Sequence, residues 1–267
     1  MEDDQRRHSL RAGFDQAAED YDSTRPVCPP QVFDDLVRLG GLAPGDRVIE
    51  IGCGTGQATV PLAERGLTIT AVELGAELGA VARRRLAGFP SVDVLTTSFE
   101  AWEPLGAPFD AVVAFNSLHW IDPQLRYSKP YELLRPGAAM VVGGCLWARP
   151  ADAERFWVEV QADYREVGYE GEPAPPPEQI GPRHLPAEAR AFFEEVASLR
   201  YPFYVVYHPE DYLAILATQS GTRALGEARS AAFLARVRDR LESLGWPQLT
   251  ATFVAYLIIG RRTETGV

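Results

Sequence analysis

The chain has 267 residues, enough to bury one substantial core. It carries 26 basic against 37 acidic residues, a formal net charge of -11 and a sequence pI near 4.9. Lys129 is its single lysine and the arginines are interleaved with acids, so the clustered cations that a phosphate backbone needs are absent and no nucleic-acid partner is expected.

The first residues, MEDDQRRHSLRAGF, lack the apolar stretch of a secretory signal, and no later run approaches the roughly 18 apolar residues that span a bilayer. A cytoplasmic protein without a membrane partner is expected. Helical patterns run from Ser9 to Asp20 and from Pro30 to Leu39, the second opened by proline and stopped by Gly40-Gly41. Strands are expected at Arg47 to Ile51, Thr68 to Val72, Val92 to Thr96, Ala111 to Phe115 and Ala139 to Gly143, with helices between them. Continuous apolar runs such as AVVAF suit parallel strands covered on both faces. A helical stretch from Ala151 to Val167 leads into EGEPAPPPEQIGPRHLP, too rich in proline for helix or sheet and read as a surface excursion. Leu199 to Tyr207 returns to strand, Pro209 to Leu216 and Arg229 to Leu244 are helical, and Leu249 to Gly260 is the last strand. Alternating strands and helices with right-handed crossovers predict an α/β fold, a doubly wound and mostly parallel sheet. The expected organisation is an N-terminal lid at 1–45, a core at 46–148, a helical and proline-rich insertion at 149–198, and a return to the core with cap helices at 199–267. The three cysteines, Cys28, Cys53 and Cys145, share no metal-ligand spacing and are read as separate thiols, with neither a disulfide framework nor a zinc site.

The chemistry-bearing segment is VIEIGCGTGQ, from Val48 to Gln57: a buried strand, a tight glycine turn and a helix start, which lets a backbone approach a nucleotide. A dinucleotide fingerprint needs Gly or Ala where Gln57 stands, whereas an acid followed by G-x-G-x-G is met by Glu50, Gly52, Gly54 and Gly56. A second strand ends at Glu73, at the spacing where a doubly wound sheet sets an acid against ribose hydroxyls.

Together these residues resemble motif I and its companion acid in the class I S-adenosylmethionine (SAM) methyltransferases. The segment FDQAAEDYDSTRPVCPP, with Phe14, Tyr21 and Arg25-Pro26, is similar to the leading segment of small-molecule methyltransferases of the trans-aconitate and juvenile-hormone-acid type. SFEAWEP at Ser98 to Pro104 resembles the loop after the third strand, and FDAVVAFNSLHWIDP at Phe109 to Pro123 the fourth strand and its loop. The resemblance implies a Rossmann-like seven-stranded sheet with an antiparallel last strand, an N-terminal lid helix and helical cap insertions. It also implies SAM as cofactor, held by Glu50, Gly52, Gly54, Gly56, Glu73, Leu74, Ser98, Phe99 and Asn116. Phe14 and Trp120 are expected to border the substrate.

Methyl transfer from a sulfonium needs an aligned, dry site and no covalent enzyme nucleophile. His119, just past the fourth strand, is a candidate base and equally a backbone-bonded structural histidine; Tyr21 is a candidate lid anchor or hydrogen-bond donor. Carboxylates do not cluster after the fourth strand, so no metal is expected. The reading is a metal-independent methyltransferase of a small-molecule acceptor, O-methylation ahead of N-, C- or S-methylation, acting as monomer or homodimer. Its alternatives are a SAM-binding protein of the same fold that does not transfer methyl, such as a cyclase, and a nicotinamide oxidoreductase.

Overall fold

In a computed structural model the protein is described over residues 25–104, 106–150, 155–168 and 172–264. The helical pattern at Ser9 to Asp20 lies outside these residues. Helix α1 (Pro30–Gly40) buries Val32, Phe33, Leu36 and Gly40, a single face at helical spacing, and ends where Gly41 turns left-handed (φ 64°) and closes on Arg38 and Val37. Strand β1 (Arg47–Ile51), α2 (Thr59–Glu64), β2 (Thr68–Glu73), α3 (Ala76–Leu86), β3 (Val92–Thr96) and β4 (Phe109–Phe115) follow, then α4 (Ser128–Leu133) and β5 (Leu134–Ala148). Beyond them come α5 (Arg155–Glu166), β6 (Phe193–Tyr207), α6 (Pro209–Ala217), α7 (Ser220–Ala224), α8 (Glu227–Leu244) and β7 (Leu249–Arg262).

The seven strands form one sheet in the order β3-β2-β1-β4-β5-β7-β6, with β1 to β5 parallel and an antiparallel last strand, as the resemblance implied. β1 occupies the middle: Ile49 pairs with Thr70 and Val112, and Glu50 with Ala71 and Val113. Four of its five residues are buried because neighbours lie on both edges and helices on the faces. Strand order reverses between β1 and β4, and such a switch point opens a crevice outside the carboxyl ends of those two strands.

The chain forms two compact units. One comprises residues 27–145, 182–201 and 255–267, with a core of Ile49, Ile51, Val72, Val112, Met140 and Phe193 among others. The other holds residues 146–181 and 202–254 together with Arg25 and Pro26, so β5, β6 and β7 contribute residues to both. Its core gathers Phe156, Trp157, Tyr212, Phe233, Val237, Leu241 and Phe253. α8 packs on α5 and α6 there through Phe233, Val237 and Leu241, spaced four apart. Arg240 on α8 grips the buried Asp163 of α5 with two bonds, 2.5 and 2.9 Å. β5 and β6 extend beyond the sequence expectation, at both ends and at the start respectively, and the short α7 has no counterpart in it.

Candidate active site

The glycine turn begins where β1 ends. Gly52 donates to Val72 O at 2.8 Å, and its left-handed backbone (φ 64°) leads the chain away from the sheet. A side chain is excluded there twice over: a Cβ would meet Ser117 Cβ at 2.7 Å, and the conformation itself disfavours L side chains. Ser117, buried just past β4, donates to Ile51 O and so ties the two sides of the switch point together. Gly54 (φ 58°) faces the opposite condition, with open space where a Cβ would stand. A backbone that is both bare and unobstructed is what a nucleotide ligand requires at this point.

Glu73 closes the turn. One carboxylate oxygen accepts from Gly54 N and the other from Gly75 N, each at 2.8 Å. The two sequence signals, 19 positions apart, are thus joined directly, and these two bonds do not exhaust the acceptor capacity of a carboxylate. Leu74, the next residue, is 41% exposed, an uncovered apolar side chain at the end of β2.

Glu50 is 1% exposed. Burial between two parallel strands pushes its carboxyl up to about 7, the Thr59 hydroxyl acting in the opposite direction and the Glu73 charge adding to the rise. The threonine does not satisfy it: Glu50 Oε2 and Thr59 Oγ1 are both buried without a hydrogen bond of good geometry, as is Thr55 Oγ1. A buried acceptor with no protein donor fits a ligand that brings a cationic N–H group, such as the ammonium of a bound amino acid moiety.

Asn116, at the mouth of β4, is the single non-glycine residue with positive φ (53°) among the described residues. Its side chain accepts from Cys145 N at 3.1 Å, so it stitches β4 to β5. Gly144 makes room for it, since a Cβ there would lie 2.2 Å from Asn116 Oδ1 and 2.8 Å from the Tyr256 hydroxyl. His119 and Trp120 sit in the short helical turn that follows, rings 4.6 Å apart. His119 as a whole residue is exposed, with the Arg126 and Arg183 charges near its ring. Desolvation first, then the Arg126 and Arg183 charges, hold its pKa below the usual value and favour the neutral imidazole at neutral pH.

Ser98 accepts from Ala101 N at 3.1 Å and starts the turn after β3. Phe99 is buried in the core with Lys129 Nζ 5.3 Å from its ring centre, and the same ammonium donates to Glu100 O and Trp102 O. Two of the expected cofactor-binding residues therefore differ: Leu74 presents an open apolar surface, while Phe99 packs inward. Phe14 and Tyr21 lie outside the described residues. Ser117, Thr59 and Lys129 were not anticipated: Ser117 and Lys129 act through partners 66 and 27 to 29 positions away, and Thr59 faces Glu50 from the helix after the turn, relations that match no spacing rule. Among the described residues no group of three or more acids, histidines or cysteines is placed to hold a metal ion.

Residues 48–137 match a protein family described as a methyltransferase domain. An uncharacterized methyltransferase of Mycobacterium tuberculosis is 30% identical over 167 residues, 62% of this chain and 63% of that protein. A ubiquinone biosynthesis O-methyltransferase of Xylella fastidiosa is 37% identical over 103 residues, 37% of this chain and 41% of that one. The chain thus spans less than two thirds of the length of these curated relatives. A solved structure named for a type II methyltransferase of Anaeromyxobacter dehalogenans shares the fold, with a TM-score of 0.60, 22% identity, and coverage of 90% of this chain and 97% of the other. With the strand order, the glycine turn and the two acids in place, residues 48–137 carry a methyltransferase domain, and the chain is similar to the class I SAM-dependent methyltransferases in fold and motif.

Proposed function

We propose that the protein transfers the methyl group of SAM to a small-molecule acceptor, without a metal and with oxygen the favoured target atom, in the manner of the trans-aconitate methyltransferase-like branch. The observation that carries this reading is the buried, unsatisfied Glu50 carboxylate beside the bare backbone of Gly52 to Gly54 and the Glu73 acid, three features that suit one nucleoside-bearing amino acid. SAM supplies an electrophilic methyl on a sulfonium, open to in-line displacement. Glu50 would hold the amino group, the turn at Gly52 to Gly56 would border the methionine portion, Glu73 would accept from the ribose, and Leu74 would lie against the base. On the acceptor side the neutral His119 imidazole is available to take a proton from a hydroxyl, or to orient a substrate carboxylate, with Trp120 as a wall. The test is incubation with SAM and an acceptor panel, read as S-adenosylhomocysteine formed together with a methyl-sized mass gain of one acceptor. Tight SAM binding without adenosylhomocysteine would favour the second reading, use of the ligand without transfer. A fold neighbour of 19% identity and TM-score 0.51 is named as the cyclase SpnF, so this architecture is found in a protein named for another reaction.

A further inference from the structure

The unit built on α5 to α8 holds a partly open pocket of about 180 Å3 that shares no residue with the glycine turn. Its walls are aromatic: Trp147, Trp157, Tyr164, Tyr212 and Phe233. The rings brace one another, Trp157 edge-on to Tyr212 at 5.7 Å and Tyr164 over Phe233 at 4.6 Å, while the Tyr212 hydroxyl spends its donor on Tyr164. Fixed ring faces and edges select a flat apolar body.

Polar atoms in the lining decide the rest of the ligand. Trp157 is 6% exposed and its Nε1 has no acceptor, and Arg149 Nε is likewise buried without one. An indole N–H and a guanidinium N–H can only donate, so both await an acceptor that the protein does not supply. An aromatic cage alone would also suit an organic cation, and the lining carries one charge of each sign, Arg149 and Glu172; but Glu172 is exposed to solvent while Arg149 Nε is buried without an acceptor, so the charge that a seated ligand meets is positive. We propose that this cavity binds a planar aromatic carboxylate, its ring between the aromatic walls and its oxygens accepting from Trp157 and Arg149. The proposal goes beyond methyl transfer and does not rest on it, since every residue it uses lies in this one unit.

Calorimetric titration of the full chain with 2-naphthoate tests it, with 2-naphthylmethylammonium as the cation of similar shape. The expected result is saturable binding of the carboxylate, no binding of the cation, and affinity at least about tenfold weaker in both Trp157→Phe, which keeps a ring and removes the N–H, and Arg149→Met, which keeps the stem and removes the charge. Melting curves establish that each variant is folded; if Trp157→Phe is not, the half-buried Arg149 carries the comparison alone. No heat from naphthoate at millimolar concentration, undiminished affinity in Arg149→Met, or preference for the ammonium would overturn the assignment.

Discussion

Glu50 is held in a place that suits a ligand better than it suits the folded chain. Its carboxyl rises from 4.5 to about 7 on burial, so the folded protein binds the proton more tightly than the unfolded one. Stability from this group is complete below pH 4.5 and is lost as the pH climbs through about 7, where an ionised Glu50 costs on the order of 3 kcal/mol. Glu50→Gln is therefore expected to stabilise the ligand-free protein by about 1 to 3 kcal/mol at pH 8, to do little at pH 5, and to weaken SAM binding tenfold or more. Urea midpoints at the two pH values and calorimetry with SAM read the three effects, and an unchanged midpoint at pH 8 would show that Glu50 is not strained. Glu73→Ala takes away the acceptor proposed for the ribose and also frees the N–H groups of Gly54 and Gly75. SAM affinity should fall about tenfold to a hundredfold in a folded protein. For His119→Ala the loss should appear in kcat, about a hundredfold to ten-thousandfold if the imidazole is the base, and shrink as pH approaches the acceptor's own pKa. A loss confined to KM and insensitive to alkali would assign His119 to substrate binding instead.

β1 and β3 occupy the bounds their sequences predict, because each is a five-residue run closed by turn residues at both ends. β6 does not: its first half, FEEVAS, carries acids and reads as helix or loop, yet it forms the sheet edge. Edge strands tolerate such composition, and Pro202 within it is a residue that central strands exclude. β5 likewise starts at LRPG, whose strand character comes from pairing with β4 at Phe109 and not from its own pattern. In the site, Glu50, the glycines and Glu73 were legible because one turn and one crossover fix their spacing. Ser117 was not, since its value lies in facing Gly52 across the switch point, 65 positions away, a relation that exists only once β1 and β4 pair. That contact yields an element-level expectation. Gly52→Ala should cost about 2 to 4 kcal/mol, part from the left-handed backbone and part from the clash, and Ser117→Gly in the same chain should restore the steric share alone. Strict additivity of the two changes in melting experiments would mean that the turn and β4 do not touch as described.

For the molecule as a whole, chemistry-bearing groups are brought together from distant parts of the chain, and the cysteines show it most simply. Among the described residues no helix is long and apolar enough to cross a membrane, and none of the three cysteines is in a disulfide. Cys28, just ahead of α1, and Cys145, near the end of β5, are 117 positions apart, so no spacing rule could pair them, but their sulfurs lie 2.8 Å from each other. Cys53 is buried, and burial together with the Glu50 and Glu73 charges pushes its thiol well above the ordinary range, which keeps it protonated and unreactive. Oxidised glutathione should therefore convert the half-buried pair to one disulfide, each thiol giving up its proton and the two electrons passing to glutathione to release two reduced molecules. Closing so long a loop constrains the unfolded chain and should stabilise the oxidised protein by up to about 4 kcal/mol. The titratable thiols of the denatured protein should fall from three to one, the melting temperature should rise, and both changes should vanish in Cys28→Ser. Three thiols still reacting after equilibration with the oxidant would show that the two sulfurs do not meet in solution.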